Sequence, residues 1–260
     1  MASDPATSTP LFASTDERLR AEAVRVYLRY AIEVVEALGL CPWARRARLD
    51  GRTLPMVIVT PDPRPEDVLP CIDEVAADPR LDIGLVLFPR LRLDRQAFHR
   101  FVAHVRDHDV ARHASGCAPL LMADFHPEAE PDLASPARLV SFIRRTPDPT
   151  IQLVRRTTLD AEKQCHDARL RRKAGTPAHL DNPASCHAQT ILASLAHAAG
   201  LTTGQSLSSH HPEHSPLHEQ IAINNHATIT RRGVDRLRAV LDDIRHDRDL
   251  AYARVAAPSR

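Results

Sequence analysis

The segment LGLCPWARR, residues 38–46, contains a cysteine and the only tryptophan of the chain directly after a predicted helix. Gly39 is typical of the position just past a helix end, and Pro42 suits the first turn of a new helix, so Cys41 lies where an N-cap is expected. A helix N-terminus and neighbouring arginines both favour the thiolate form of a cysteine. We therefore predict Cys41 as a nucleophile or ligand, with Trp43 in the same binding site; the alternative is a small buried side chain in a packed connector.

The segment MADFHP places an acid and an imidazole two residues apart at the end of a predicted strand. In a strand, Asp124 and His126 project from the same face. Open α/β sheets bind their ligands beyond the carboxyl ends of the strands, and a carboxylate can orient an imidazole for acid–base catalysis or metal ligation. We predict His126 as the acid or base and Asp124 as the residue that orients it. The alternative is a strand end that turns polar at the surface.

A basic segment, FIRRTPDPTIQLVRR, follows the acid–imidazole pair along the chain. The guanidinium group suits a carboxylate or a phosphate, because its N–H groups form a planar fork that matches two oxygens. If residues 150–157 form a strand, Arg155 and Arg156 face opposite sides, so at most one of them lines a given site. We predict that Arg144, Arg145 or Arg155 binds an anionic substrate; the alternative is a solvated arginine surface.

Histidines and cysteines are frequent between residues 165 and 218. A zinc site needs about four converging nitrogen or sulfur ligands, and this stretch lacks the paired-cysteine spacing of zinc motifs. A solvated loop is therefore favoured, and no cofactor is predicted. The alternative is zinc or iron bound by Cys41, His126 and one histidine of this stretch. The residues considered are His210, His211, His214 and His218, with the pairs Cys165–His166 and Cys186–His187.

The candidate residues belong to a chain in which helices and apolar strands alternate regularly. Amphipathic helices precede three nearly all-apolar segments, at residues 53–60, 82–89 and 119–127. Strands that are buried on both faces and joined by helices are typical of parallel sheets with right-handed crossovers. The sequence therefore predicts an α/β fold with a small, mostly parallel sheet of three to four strands and helices on both faces. The fourth strand would be residues 150–159, for which a helix start is the alternative.

The predicted domain organisation has four parts. Residues 1–14 form a disordered N-terminus, residues 15–163 an α/β core domain, and residues 164–217 a variable, His-rich insertion. Helical periodicity resumes in residues 218–255, which are predicted to pack on the core as a C-terminal helical segment.

The composition limits the partners and the compartment. The 34 Lys and Arg residues balance 33 acidic residues, a net charge of +1, so no nucleic-acid partner is expected. No apolar stretch approaches the roughly 18 residues of a membrane span, so no membrane association is expected. The first residues lack the pattern of a secretory signal, and the five cysteines are widely spaced, which suits reduced thiols in the cytoplasm.

The sequence also lacks the Walker A, G-x-G-x-x-G, G-x-S-x-G and H-E-x-x-H motifs.

At its short motifs the chain resembles the bacterial domain-of-unknown-function 1415 family. The resemblance rests on GLCPWA, DIGLVLFP, LLMADFHP and RRTPDPTIQLVRR in that order, and on LHEQIAINNHATITRRGVDRL near the end. It implies no established activity. It also implies that a cysteine, a histidine and an arginine of the family pattern are retained as Cys41, His126 and Arg155. A second histidine of that pattern is replaced by Gln152, which can bind a polar group but cannot act as a base.

Three functions fit these features. The leading hypothesis is a small-molecule enzyme in which Cys41, His126 and Asp124 are catalytic and arginines bind an anionic substrate, with Gln152 as a further contact. It requires the Cys41 sulfur to lie within direct or water-mediated hydrogen-bond reach of the His126 ring. The alternatives are a metal-binding protein and a non-catalytic module that binds a ligand or partner. The substrate and the oligomeric state do not follow from the sequence.

Overall fold

The computed structural model describes residues 14–114, 117–129, 132–173 and 217–257. Nearly all of the predicted disordered N-terminus and most of the predicted insertion lie outside these residues. The same holds for five residues that were considered for metal binding: Cys186, His187, His210, His211 and His214.

Within that part of the chain, eight α-helices and four strands are formed. The first half contains α1 (Thr15–Tyr30), its continuation as a π-helical segment (Ala31–Glu36), α2 (Ala44–Leu49), β1 (Thr53–Val57), α3 (Pro65–Ala77), β2 (Ile83–Leu87) and α4 (Arg95–Ala111). The second half contains β3 (Leu120–Phe125), α5 (Pro136–Ile143), β4 (Thr150–Arg155), α6 (Arg156–Lys173), α7 (Leu217–Arg232) and α8 (Val234–Ala256). None of the described helices is both long and apolar enough to cross a membrane.

The four strands form one mixed sheet with the order β1-β2-β4-β3. β1 and β2 are parallel, whereas β4 is antiparallel to both of its neighbours. The predicted α/β class and fourth strand are confirmed, but the prediction of a mostly parallel sheet is wrong. The chain enters β4 at the end of the sheet where β3 finishes, with Thr150 opposite Phe125, so β4 runs back against β3. The apolar pattern does not show this, because a strand buried on both faces looks the same in either direction.

Helices cover the sheet on both sides, and each face has its own core. We call the first face the side of Leu85 and Leu87, which α1, α5, α7 and α8 cover. The second face is the side of Val86, which packs against α3 and α4. Helix α3 approaches the sheet closely because Gly84 has no side chain: a Cβ there would lie 2.6 Å from a methyl carbon of Val75.

Candidate functional site

Four of the predicted site residues lie on the first face. Residues that are paired directly across two strands point to the same face of a sheet. Gln152 pairs with Leu85 of the first-face core, and Trp43, two residues after Cys41, packs against that core. Arg144 reaches the same face through its contact with a strand residue, which is described below.

Two predicted catalytic residues, Asp124 and His126, lie on the second face instead. Asp124 pairs with Ile151 of the second-face core. The His126 ring packs against Phe98 of the same core, with ring centroids 5.7 Å apart. The sheet therefore lies between this pair and Cys41, and the structure does not bring together the three residues of the catalytic hypothesis.

The connector that carries Cys41 leaves α1 through the π-helical segment and one glycine. Such segments are rare in proteins and are frequent at functional sites. The Leu40 N–H donates to the Val35 carbonyl at 2.9 Å, and Gly39 has a φ of 62°, in the left-handed region that glycine tolerates best. Asn225 of α7, which is buried, donates to the Leu40 carbonyl at 3.0 Å. The chain is thus turned sharply and held in place directly before Cys41.

The Cys41 thiol is half-buried, and the neighbouring backbone N–H groups of Trp43 and Ala44 act to lower its pKa. Burial nevertheless raises the pKa of the thiol to about 11, and the nearby charge of Glu162 acts in the same direction. The expectation of a favoured thiolate is therefore wrong. Helix α2 begins only at Ala44 and has six residues, so Cys41 is not its N-cap, and desolvation outweighs the two backbone N–H groups. Cys41 is a neutral thiol at neutral pH.

Two tyrosines of α1 lie beside Cys41 and were missed by the sequence analysis. The rings of Tyr27 and Tyr30 are 5.7 Å apart, and the Tyr30 hydroxyl donates to the Ile143 carbonyl at 2.7 Å. Burial raises the pKa of both tyrosines, and the neighbouring Cys41 adds to the effect. Their three-residue spacing matches the apolar stripe of the helix, so the sequence gives them the appearance of ordinary core residues.

Arg144 is a half-buried cation on the first face. Its guanidinium carbon lies 5.3 Å from the centre of the Phe125 ring, and Phe125 is on the first face because it pairs with Thr150, which in turn pairs with Leu87. Burial lowers the pKa of Arg144, while the charge of Asp124 opposes this effect. Among the described residues, no carboxylate forms an ion pair with this guanidinium, and no acceptor takes a hydrogen bond from it.

His126 is buried on the second face, and both of its ring nitrogens are hydrogen-bonded to the backbone. It is 4% exposed, its Nε2 lies 3.0 Å from the Leu93 carbonyl, and its Nδ1 accepts a hydrogen bond from the Glu128 N–H at 3.2 Å. These contacts require a neutral ring with the proton on Nε2, and burial lowers the pKa of His126 accordingly. Asp124 does not orient this ring; its Oδ1 lies 3.2 Å from Nδ1 of His99 on α4.

The two other predicted arginines are bound to the protein itself. Arg155 donates through Nε to the Leu81 carbonyl at 2.7 Å and through Nη2 to the Asp78 carbonyl at 2.8 Å, so it caps the end of α3. Arg145 forms an ion pair with Asp242 of α8 at 3.2 Å. Neither guanidinium is as free for a ligand as that of Arg144.

His218 ends the His-rich stretch, for which a solvated loop was favoured, and begins the segment that was predicted to be helical; in the structure it is helical. It lies in the first turn of α7, which begins at Leu217, and it is half-buried. Burial lowers the pKa of its imidazole. His218 precedes Asn225 by seven residues, about two helical turns, so both lie on the side of α7 that faces the Cys41 connector.

Four residues on the first face form what we call the first-face site: Tyr30, Cys41, Arg144 and Gln152. It offers one cation, an amide, a phenol and a neutral thiol. Among the described residues, no group of three or more His, Cys, Asp and Glu side chains is arranged to hold a metal ion.

The comparison with protein families gives one result. The model of the family described as "Protein of unknown function (DUF1415)" matches residues 22–170. The matched range contains all four strands and every residue of the first-face site. No curated protein and no solved structure matches the chain.

Proposed function

Because the chain belongs to the DUF1415 family, whose description names no activity, we propose its function from its own site. We propose that the protein binds a small molecule with a carboxylate or phosphate group in the first-face site, and that Arg144 binds this anion. The observation that carries the proposal is the half-buried guanidinium of Arg144, which forms no ion pair and no hydrogen bond among the described residues and whose charge Asp124 compensates only in part.

Burying a cation that has no ion-pair partner costs free energy. The charge loses its hydration, and the protein interior offers no interaction of equal strength in return. Burial lowers the pKa of Arg144, which is the signature of that cost. An anionic ligand would compensate the charge through two parallel N–H···O bonds, the strongest form of such a contact. The free protein thus contains a cost that ligand binding would relieve.

The contact with Phe125 supports the same proposal. An aromatic ring below a guanidinium attracts the cation and restricts the plane of the group. The edge of the guanidinium, which carries its N–H donors, then stays available for a ligand in that plane. A ligand held there would also be near Gln152. This residue lies on the same face of β4 as Thr150, the strand partner of Phe125, and follows Thr150 by two residues.

The catalytic part of the sequence hypothesis is less well supported than the binding part. His126 and Asp124 are on the opposite face, and both ring nitrogens of His126 are occupied. Cys41 is the predicted nucleophile that remains on the same face as Arg144, and its raised pKa of about 11 keeps it protonated at neutral pH. We therefore propose ligand binding as the function and assign no reaction to the site.

The experiment compares ligand-induced stabilisation in two variants. Inorganic phosphate, acetate and succinate are added at matched ionic strength, and the free energy of unfolding is measured. A probe at about ten times its Kd should stabilise the wild-type protein by about 1.4 kcal/mol. Arg144→Gln should lose this stabilisation, whereas Arg46→Gln should retain it, because the Arg46 side chain is 86% exposed and lies on the surface of α2.

A second readout separates a binding role from a structural one. Without ligand, Arg144→Gln should be as stable as the wild type or more stable, since the substitution removes an uncompensated charge. If no probe stabilises the wild type, or if Arg144→Gln responds to the probes as the wild type does, the proposal is refuted.

A further inference from the structure

The backbone of Arg144 is hydrogen-bonded to the chain just beyond the end of β3. The Arg144 carbonyl accepts from the Thr146 N–H at 3.0 Å, within the turn that follows α5, and from the His126 N–H at 3.2 Å. In the opposite direction, Nε of Arg145 donates to the Pro127 carbonyl at 2.8 Å. The position of Arg144 therefore depends on the turn formed by residues 126–128, which we call the His126 turn.

The imidazole of His126 holds this turn in place. Its Nδ1 accepts a hydrogen bond from the Glu128 N–H at 3.2 Å, which closes the turn through a side chain. Its Nε2 lies 3.0 Å from the Leu93 carbonyl, which anchors the turn to the loop before α4. The ring is buried and packs against Phe98. Only a neutral ring with its proton on Nε2 makes both hydrogen bonds.

We infer that His126 is a positioning residue for the anion site at Arg144, and that protonation of its ring weakens anion binding. This inference rests on the proposed function and adds to it a control by pH. A proton on Nδ1 turns the acceptor into a donor that faces the Glu128 N–H, so the hydrogen bond that closes the His126 turn is lost. The backbone of Arg144 is then no longer fixed, and its guanidinium loses the orientation that a two-oxygen contact requires.

The sign of this pH dependence separates positioning from simple charge attraction. The charged groups that act on the His126 ring are Asp94 and Arg95 at the start of α4 and Glu128 in the turn. Burial lowers the pKa of His126, so the ring is neutral at neutral pH and gains its proton only in acid. A positive charge added near an anion site would by itself strengthen anion binding as the pH falls. The positioning role predicts the opposite, because affinity falls as the ring gains its proton.

The first test compares three variants at pH 8 by NMR titration with inorganic phosphate, acetate and sulfate. His126→Asn keeps the contact that closes the turn, because an asparagine oxygen accepts from the N–H two residues further on, and it does not titrate. His126→Phe keeps an aromatic ring against Phe98 but has no acceptor. His104→Asn replaces an exposed histidine of α4 and is the control.

His126→Phe should bind the probes about tenfold more weakly than the wild type, which is the effect of one lost buried hydrogen bond. His126→Asn and His104→Asn should bind them as the wild type does.

The second test follows the wild type from about pH 8 to pH 5.5, a range in which acetate and sulfate keep their charge. The titration of the His126 ring is measured by NMR in the same samples. The affinity for both probes should fall in step with protonation of His126, whereas the affinity of His126→Asn should stay constant.

The results that overturn the inference differ in what they leave standing. If folded His126→Phe binds the probes as the wild type does, or if wild-type affinity is constant or rises as His126 gains its proton, the positioning role is excluded and the proposed anion site remains. If the wild type binds none of the three probes, or if Arg144→Gln binds them as tightly as the wild type, both the inference and the proposed function fail.

Discussion

A buried carboxylate, Asp148, should make the stability of this protein fall as the pH rises. Asp148 lies in the turn between α5 and β4 and is 3% exposed. Its Oδ2 accepts a hydrogen bond from the Tyr252 hydroxyl at 2.5 Å, whereas Nη1 of Arg248 is 3.6 Å from Oδ1 and donates to the Pro147 carbonyl instead. Burial raises the pKa of Asp148 from 3.8 to about 6, although the Arg248 charge and the Tyr252 hydrogen bond oppose this. One hydrogen bond and one distant cation do not replace the lost hydration.

The sign and size of the effect follow from the two pKa values. Between about pH 4 and pH 6 the folded protein keeps a proton on Asp148 that the unfolded chain has lost, so stability decreases as the pH rises through this range. The pKa difference of about 2 corresponds to about 3 kcal/mol. The penalty is absent below about pH 4 and complete above about pH 6. His126 and His218, whose pKa values are lowered by burial, act in the opposite direction over part of the same range.

The Asp148→Asn variant isolates this effect, because the histidines are the same in both proteins and cancel in the difference. Urea unfolding of wild type and variant is measured at intervals from about pH 4 to pH 8. The stability of the variant relative to the wild type should rise by about 3 kcal/mol over this range. The control is Asp235→Asn. Asp235 lies on the same helix as Tyr252, and its own side chain is 94% exposed, so this variant should show no such rise. If the difference for Asp148→Asn is constant with pH, the reasoning about its burial is refuted.

Two further predictions concern the sheet and the thiol. Gly84→Ala should lower the free energy of unfolding, measured by urea titration, by about 1–3 kcal/mol. The reason is that the alanine Cβ would lie 2.6 Å from Val75, a stiff and fully buried side chain of α3. An unchanged unfolding midpoint would contradict the close approach of α3 to the sheet. Iodoacetamide should alkylate Cys41 at neutral pH at least about a hundredfold more slowly than an ordinary cysteine, since a pKa of about 11 leaves little thiolate. The rate at the Cys41 peptide, followed by mass spectrometry, should keep rising with pH above pH 9, and a plateau below that pH would show that the thiol is not desolvated.

The strands could be located from the sequence, but the direction of the last one could not. β2 and β3 are apolar runs of ordinary strand length, which is a local signal. The segment 150–159 is ambiguous in the sequence because it contains two elements: β4 ends at Arg155 and α6 begins at Arg156, without a turn residue to mark the boundary. The antiparallel direction of β4 depends on where α5 delivers the chain, and that is a property of the tertiary structure.

The candidate site shows the same limit. The alternation rule correctly places Asp124 and His126 on one face of the sheet, since it needs only the local period of a strand. Whether that face is the one that Cys41 covers depends on which helices cross to which side. Sequence spacing carries no information on this, and the two groups turn out to be separated by the sheet.

The arginines explain best why a binding residue could not be singled out from the sequence. Arg144, Arg145, Arg155 and Arg156 look equivalent in one basic segment. In the structure, Arg145 pairs with an acid of α8, Arg155 binds carbonyls that lie 74 and 77 residues away along the chain, and Arg156 donates to the Ala118 carbonyl at 3.2 Å. Among these four, Arg144 alone has no hydrogen-bond acceptor or ion-pair partner for its guanidinium within the described residues. What distinguishes a ligand-binding arginine here is that its donors are left unoccupied, and because the possible acceptors come from distant segments, that property appears only once the chain has folded.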